Sequence, residues 1–146
     1  MIKTLQRKLP IMMTLCLICT LFSFTTIFAN EITPYYNNTY TASLSTSVND
    51  EGLLTINYKY VGYSDTRTKA IITSYIEKQF LGIFWLRVDI GTTDDEWIQT
   101  INNYKYTGSR TFSLPSTGTY RTTVIYEIYG TGGSADEIKC QDTVTY

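Results

Sequence analysis

The chain has 146 residues, a net charge of −1 and no histidine. Without an imidazole, one chain cannot build a Ser-His-Asp triad, a Cys-His pair or a His-ligated zinc or copper site. Thirteen tyrosines and only three prolines suit pleated, half-buried surfaces better than helices.

Lys3, Arg7 and Lys8 precede an uncharged apolar run from Ile11 to Phe28, with Ile27 and Ala29 where cleavage requires small or aliphatic residues. This layout predicts a signal peptide helix over residues 1–29, cut after Ala29. A retained membrane anchor is the competing reading, because about 18 uncharged residues just span a bilayer. Cys16 and Cys19 lack the small residues that precede a lipidated cysteine, which argues against a lipoprotein. Residues 30–146 then form a single β-sandwich domain, secreted and without a stable membrane anchor. Their nine Lys and Arg stand against thirteen Asp and Glu, a net charge of −4, which gives no electrostatic reason to bind nucleic acid. Cys140 is the one cysteine beyond residue 29. An internal disulfide is therefore excluded and packing must supply the stability.

Tyr40 to Val48 alternates Ala42, Leu44 and Val48 with Ser and Thr, as a half-buried strand does. A turn at Asn49 to Gly52 leads to a strand with Leu54, Ile56, Tyr58 and Tyr60 on one face. After a polar connection through Ser64, Asp65 and Thr66, Lys69 to Gln79 presents Ala70, Ile72 and Ile76 together. Phe84, Leu86, Val88 and Ile90 alternate with Trp85, Arg87 and Asp89, which assigns the first set to the core and Trp85 to the less buried face. A polar, acidic connection from Gly91 to Glu96 precedes a strand over Trp97 to Tyr106, in which Tyr104 or Tyr106 faces outward. Arg110 to Leu114, Thr119 to Tyr129 and Glu137 to Tyr146 complete about eight strands. Short strands between turn residues, without a helical period, specify an all-β antiparallel sandwich rather than a small barrel. Thr55–Gly62 nearly recurs at Thr100–Gly108 with one extra Asn. Flanks that do not match make convergence the better reading than duplication.

The stretch Leu114-Pro115-Ser116-Thr117-Gly118-Thr119-Tyr120 resembles the corner of immunoglobulin-like sandwiches, where a glycine turn precedes a tyrosine whose hydroxyl bonds nearby backbone. Thr122 stands where antibody domains carry their second cysteine, so the resemblance implies an immunoglobulin-like sandwich without the disulfide. The chain also resembles a family of small exported proteins of Gram-positive bacteria without an assigned activity, on Thr68 to Thr73, Phe84-Trp85, Glu96-Trp97, Gly118 to Arg121 and Gly130 to Asp136. That likeness implies an extracellular sandwich and no activity.

No catalytic residue, cofactor or metal is assigned, and the chain is read as a non-enzyme that binds outside the cell or at its surface. Asp94, Asp95, Glu96, Asp136 and Glu137 leave a carboxylate hydrolase formally open, or calcium at the first three, but solvated turns explain them as well. Asn37-Asn38-Thr39 matches a glycosylation acceptor and means little in a bacterial-type exported chain. Candidate ligand-binding residues are Trp85, Trp97, Tyr104, Tyr106, Phe80 and Leu81. The aromatics would stack on a polysaccharide, as in carbohydrate-binding modules, or pack on one another. The apolar run Phe80 to Trp85 would meet a protein partner or touch a membrane, or fold back as a lid. A membrane-active toxin fits poorly with the acidic balance.

Overall fold

The computed structural model describes residues 36–65 and 69–146. The expected signal peptide over 1–29 lies outside the described residues, as does Thr66 of the expected polar connection. Eight strands follow in chain order: β1 Thr39–Val48, β2 Leu53–Gly62, β3 Lys69–Phe80, β4 Phe84–Arg87, β5 Trp97–Ile101, β6 Lys105–Ser113, β7 Thr119–Tyr129 and β8 Asp136–Thr145. One sheet has the order β1-β2-β6 and the other β4-β3-β7-β8, with β5 paired to β3 as well. Every pairing is antiparallel. The first, second and sixth strands thus face the third, seventh and eighth, which is an immunoglobulin-like β-sandwich.

Period-two alternation builds the core. Leu54, Ile56, Tyr58 and Tyr60 of β2 meet Ala70, Ile72 and Ile76 of β3 and Tyr120, Val124, Tyr126 and Ile128 of β7 between the sheets. β7 lies between β3 and β8, so Thr122 and Thr123 are buried too. Three core tyrosines turn burial into specific contacts with the chain. Tyr60 donates its hydroxyl to the carbonyl of Asn103 at 2.6 Å, Tyr126 to Ser43 at 2.7 Å and Tyr120 to Ser116 at 2.6 Å. The Tyr120 bond closes the corner that the sequence predicts, and each bond gives a buried phenol a backbone acceptor.

A buried polar clamp joins the two ends of the domain. Asp136, at the start of β8, accepts from the backbone N–H of Asn37 (2.9 Å) and Asn38 (2.8 Å) and from Thr39 Oγ1 (2.8 Å). The fully buried Asn38 side chain donates to the Ser134 carbonyl and accepts from the Gly132 N–H. A Cβ on Gly132 would lie 2.4 Å from the Asn37 carbonyl oxygen, so no larger residue fits without moving backbone.

Two expectations change in the structure. The chain breaks at Asn102 to Tyr104 rather than after Tyr106, because these residues carry it from β5 in one sheet to β6 in the other. The near-repeat therefore marks no repeated unit: Thr55–Gly62 runs within one strand, whereas its likeness at Thr100–Gly108 spans the crossover. The second change concerns burial along β4 and shapes the candidate site.

Candidate functional site at the β3–β4 hairpin

β3 runs two residues past Lys78, its last residue paired with β7, and then turns back into β4. The hairpin pairs Lys78 with Leu86, Gln79 with Trp85 and Phe80 with Phe84. At its apex Leu81 has φ 52° and Gly82 φ 70°, and the Ile83 N–H donates to the Phe80 carbonyl at 3.2 Å. Two successive left-handed residues define the mirror-image turn that matches strand twist, a turn that ordinarily takes Asn-Gly. A bulky leucine in the first position costs conformational energy that Asn or Gly would avoid.

Alternation places Phe84 and Leu86 on the inward side, as the sequence suggests, but the facing sheet does not extend that far. Phe80 is 53 % exposed, Leu81 73 %, Ile83 73 %, Phe84 57 % and Leu86 52 %. Five of the ten exposed large apolar side chains among the described residues thus stand within seven positions, and a cluster of this kind commonly marks a contact surface. Val88, two residues beyond Leu86, is the first of this row to be buried. Beside the hairpin lies a cleft of about 550 Å³ whose walls include Lys78, Phe80, Leu86, Val88 and Pro115.

Trp85 points to the opposite side and is half-buried, the reverse of its expected exposure relative to Phe84 and Leu86. The Arg121 guanidinium lies 4.3 Å from its ring centroid and is itself fixed by Glu77 at 2.8 Å. Next along this face, Arg87 lies 3.4 Å from the Tyr75 ring centroid and pairs with Glu96 at 3.1 Å. One face of the indole is therefore already occupied by a cation.

The other candidates lie elsewhere. Trp97 meets Phe112 of the facing sheet edge to face at 6.1 Å, with the Arg110 guanidinium 5.5 Å from its ring. Tyr106 lies 6.1 Å from Tyr58, and its hydroxyl accepts from Gln99 Nε2 at 3.1 Å. Both belong to the seam between β5 and β6. Tyr104, just before β6, is half-buried, and the Lys105 amine lies 5.5 Å from its ring. The structure thus brings Phe80, Leu81 and Trp85 together on one hairpin and sets Trp97, Tyr104 and Tyr106 apart from them. Sequence reasoning included Ile83 in the apolar tip but missed Phe84 and Leu86 as surface residues, because alternation assigned them to the core. It also missed the Tyr40–Tyr63 edge-to-face pair, 6.5 Å apart, whose rings stand exposed on the first sheet.

Three of the five candidate carboxylates, Asp95, Glu96 and Asp136, are occupied structurally. Glu96 holds Arg87, its N–H and carbonyl both bond Thr92 Oγ1, and Asp95 accepts from the Ile90 N–H. Asp136 is spent on the clamp. Asp142 is partly desolvated, which alone would raise its pKa, but bonds from the Thr46 hydroxyl, the Thr46 N–H and the Thr143 N–H outweigh this and hold it below the usual carboxylate value. Among the described residues no three His, Cys, Asp or Glu side chains gather in a way that could hold a metal ion. Burial pushes the Cys140 thiol pKa up, so it is a poor nucleophile at neutral pH.

No family model and no curated protein matches the chain. Among solved structures, a Bordetella pertussis protein provisionally called ApaA is similar at a TM-score of 0.39 and 14 % identity, over 75 % of this chain and 96 % of that one. Strand pairing, and not this likeness, defines the fold.

Proposed function

We propose that the chain is a non-catalytic binding protein that acts outside the cell or at its surface, with the β3–β4 hairpin as its contact surface. The observation that carries this reading is the cluster of five exposed apolar side chains on one hairpin, with an adjoining cleft. Water contact with these groups is unfavourable, at about 25 cal/mol per Å² of apolar area, and a partner that covers them recovers this energy. Trp97 and Tyr106 are engaged with neighbours across the seam, which favours the hairpin over a sugar-stacking row. Extracellular placement rests on the charge and apolar pattern of residues 1–29.

The test adds residues 30–146, which contain the whole compact unit Tyr35–Tyr146, to the cells that produce the protein and measures what remains after washing. The unmodified chain is expected to be retained, and a Phe80→Ser, Phe84→Ser variant that unfolds at the same temperature is expected to be lost. Equal retention of the two would overturn the reading.

A further inference from the structure

We infer that the β3–β4 hairpin is a tip that enters the interface of a phospholipid bilayer, reversibly and without spanning it. This names the partner of the proposed contact surface and rests on that reading. Four observations favour lipid over another surface. The first is shape: the apolar groups form the free end of a projecting hairpin, with Leu81 and Ile83 at the apex the most exposed. The two residue pairs of the hairpin beyond the pairing with β7, together with the turn, project roughly 10 Å, which matches the depth of the headgroup and acyl boundary. A protein partner would need a groove moulded to this apex, whereas a fluid interface adapts to it.

The second is charge. From Gln79 to Leu86 there is no ionisable side chain, and the flanking residues Lys78 and Arg87 are both cations. They stand at the base of the hairpin, level with phosphates when the apex is immersed, and since Arg87 is paired with Glu96 the uncompensated charge there is that of Lys78. Lys78 is in neither ion pair of the described residues: its amine bonds Ser116 Oγ at 2.6 Å and lies 5.4 Å from the Tyr120 ring centroid, both neutral groups. Asp89, the nearest carboxylate beyond Arg87 in sequence, is turned to the Gly91 N–H at 2.8 Å.

The third is the backbone of the turn, since an unsatisfied peptide group is costly in an apolar medium. The Phe80 carbonyl accepts from the Ile83 N–H, and the apical Gly82 carbonyl accepts from Gln79 Nε2 at 3.1 Å. The one polar side chain at the tip is thus used to cap the tip's own backbone. The fourth is Leu81 itself, an apolar residue in a left-handed conformation that asparagine adopts more readily. A strained outlier at an exposed apex points to selection for contact rather than stability. Trp85, one pair below Phe80 and Phe84, lies at the depth where indoles favour the interface.

The test is flotation of residues 30–146 with phosphatidylcholine vesicles and with equimolar phosphatidylcholine–phosphatidylglycerol vesicles. In parallel, a Trp97→Phe variant is titrated with brominated lipid so that Trp85 alone reports. The chain is expected to float with both vesicle types, more strongly with the anionic one, and Trp85 emission is expected to be quenched. A Leu81→Asp, Ile83→Asp variant with unchanged thermal unfolding is expected to partition at least ~10-fold more weakly. Absence of flotation, or equal flotation of this variant, overturns the proposal. So does concentration-dependent self-association that the same two substitutions abolish, since the tip would then serve a second copy. If the wild type ignores vesicles yet the hairpin variants still lose retention on cells, the lipid inference fails and the binding reading stands.

Discussion

Along the inward face of β3, Ala70, Ile72 and Ile76 lie under the facing sheet, whereas Phe80, four residues further on the same face, is more than half exposed. The alternation is equally regular in both halves. What differs is the neighbour: the first half has β2 across the sandwich, and the second projects past the corner at Ser116, beyond Leu114 and Pro115. Periodicity therefore encodes the side on which a residue lies, but not whether anything lies against it.

The comparison is tested most strongly by truncating one residue in each half. Ile72→Ala opens a cavity in a fully packed region and is expected to cost about 2–5 kcal/mol, whereas Leu86→Ala is expected to stay within about 0.5 kcal/mol. Urea unfolding of the two variants measures both, and similar losses would show that the hairpin is covered after all.

Alkaline pH should reach the packed half selectively. Desolvation pushes the Tyr60 phenol up to about 12 and raises Tyr126 above its ordinary value of 10.0 as well. Because both folded-state values exceed the unfolded one, the stabilisation is fully present below pH 10 and is lost as pH rises toward the folded values. Thermal unfolding temperatures are expected to fall between pH 10 and 12, and Tyr126→Phe is expected to flatten that decline. No such change would show that these hydroxyls are not buried.

The smallest effect has the opposite sign. Leu81→Asn places a residue suited to the left-handed turn at the apex and is expected to raise stability by about 1 kcal/mol while weakening attachment. A loss of stability would mean that Leu81 is held by packing.

Much of the fold was legible in the sequence. The β2, β3 and β7 core faces followed from alternation, and the Tyr120 corner from a glycine turn before tyrosine. The β5–β6 boundary was not legible, because a crossover between sheets interrupts pairing without a glycine or proline to mark it. Of the site, Phe80, Leu81 and Trp85 were singled out, but Trp97, Tyr104 and Tyr106 fall elsewhere. An aromatic residue in a strand reads the same whether it faces a sheet edge, a partner ring or water. Ile83 was legible as part of the uncharged run at a strand connection, whereas Phe84 and Leu86 were read as core because alternation shows the side on which they lie and not that the facing sheet stops short of them.

The Asp136 carboxylate has a consequence for when the domain comes into being. Its three donors sit 97 to 99 positions earlier in the chain, so although the first strand can pair with the second at once, its tie to the last waits until almost all of the domain has been made. Closing so long a loop comes late and slowly. A polypeptide still being synthesised lacks this bridge for most of its length, and gains it only when residue 136 arrives.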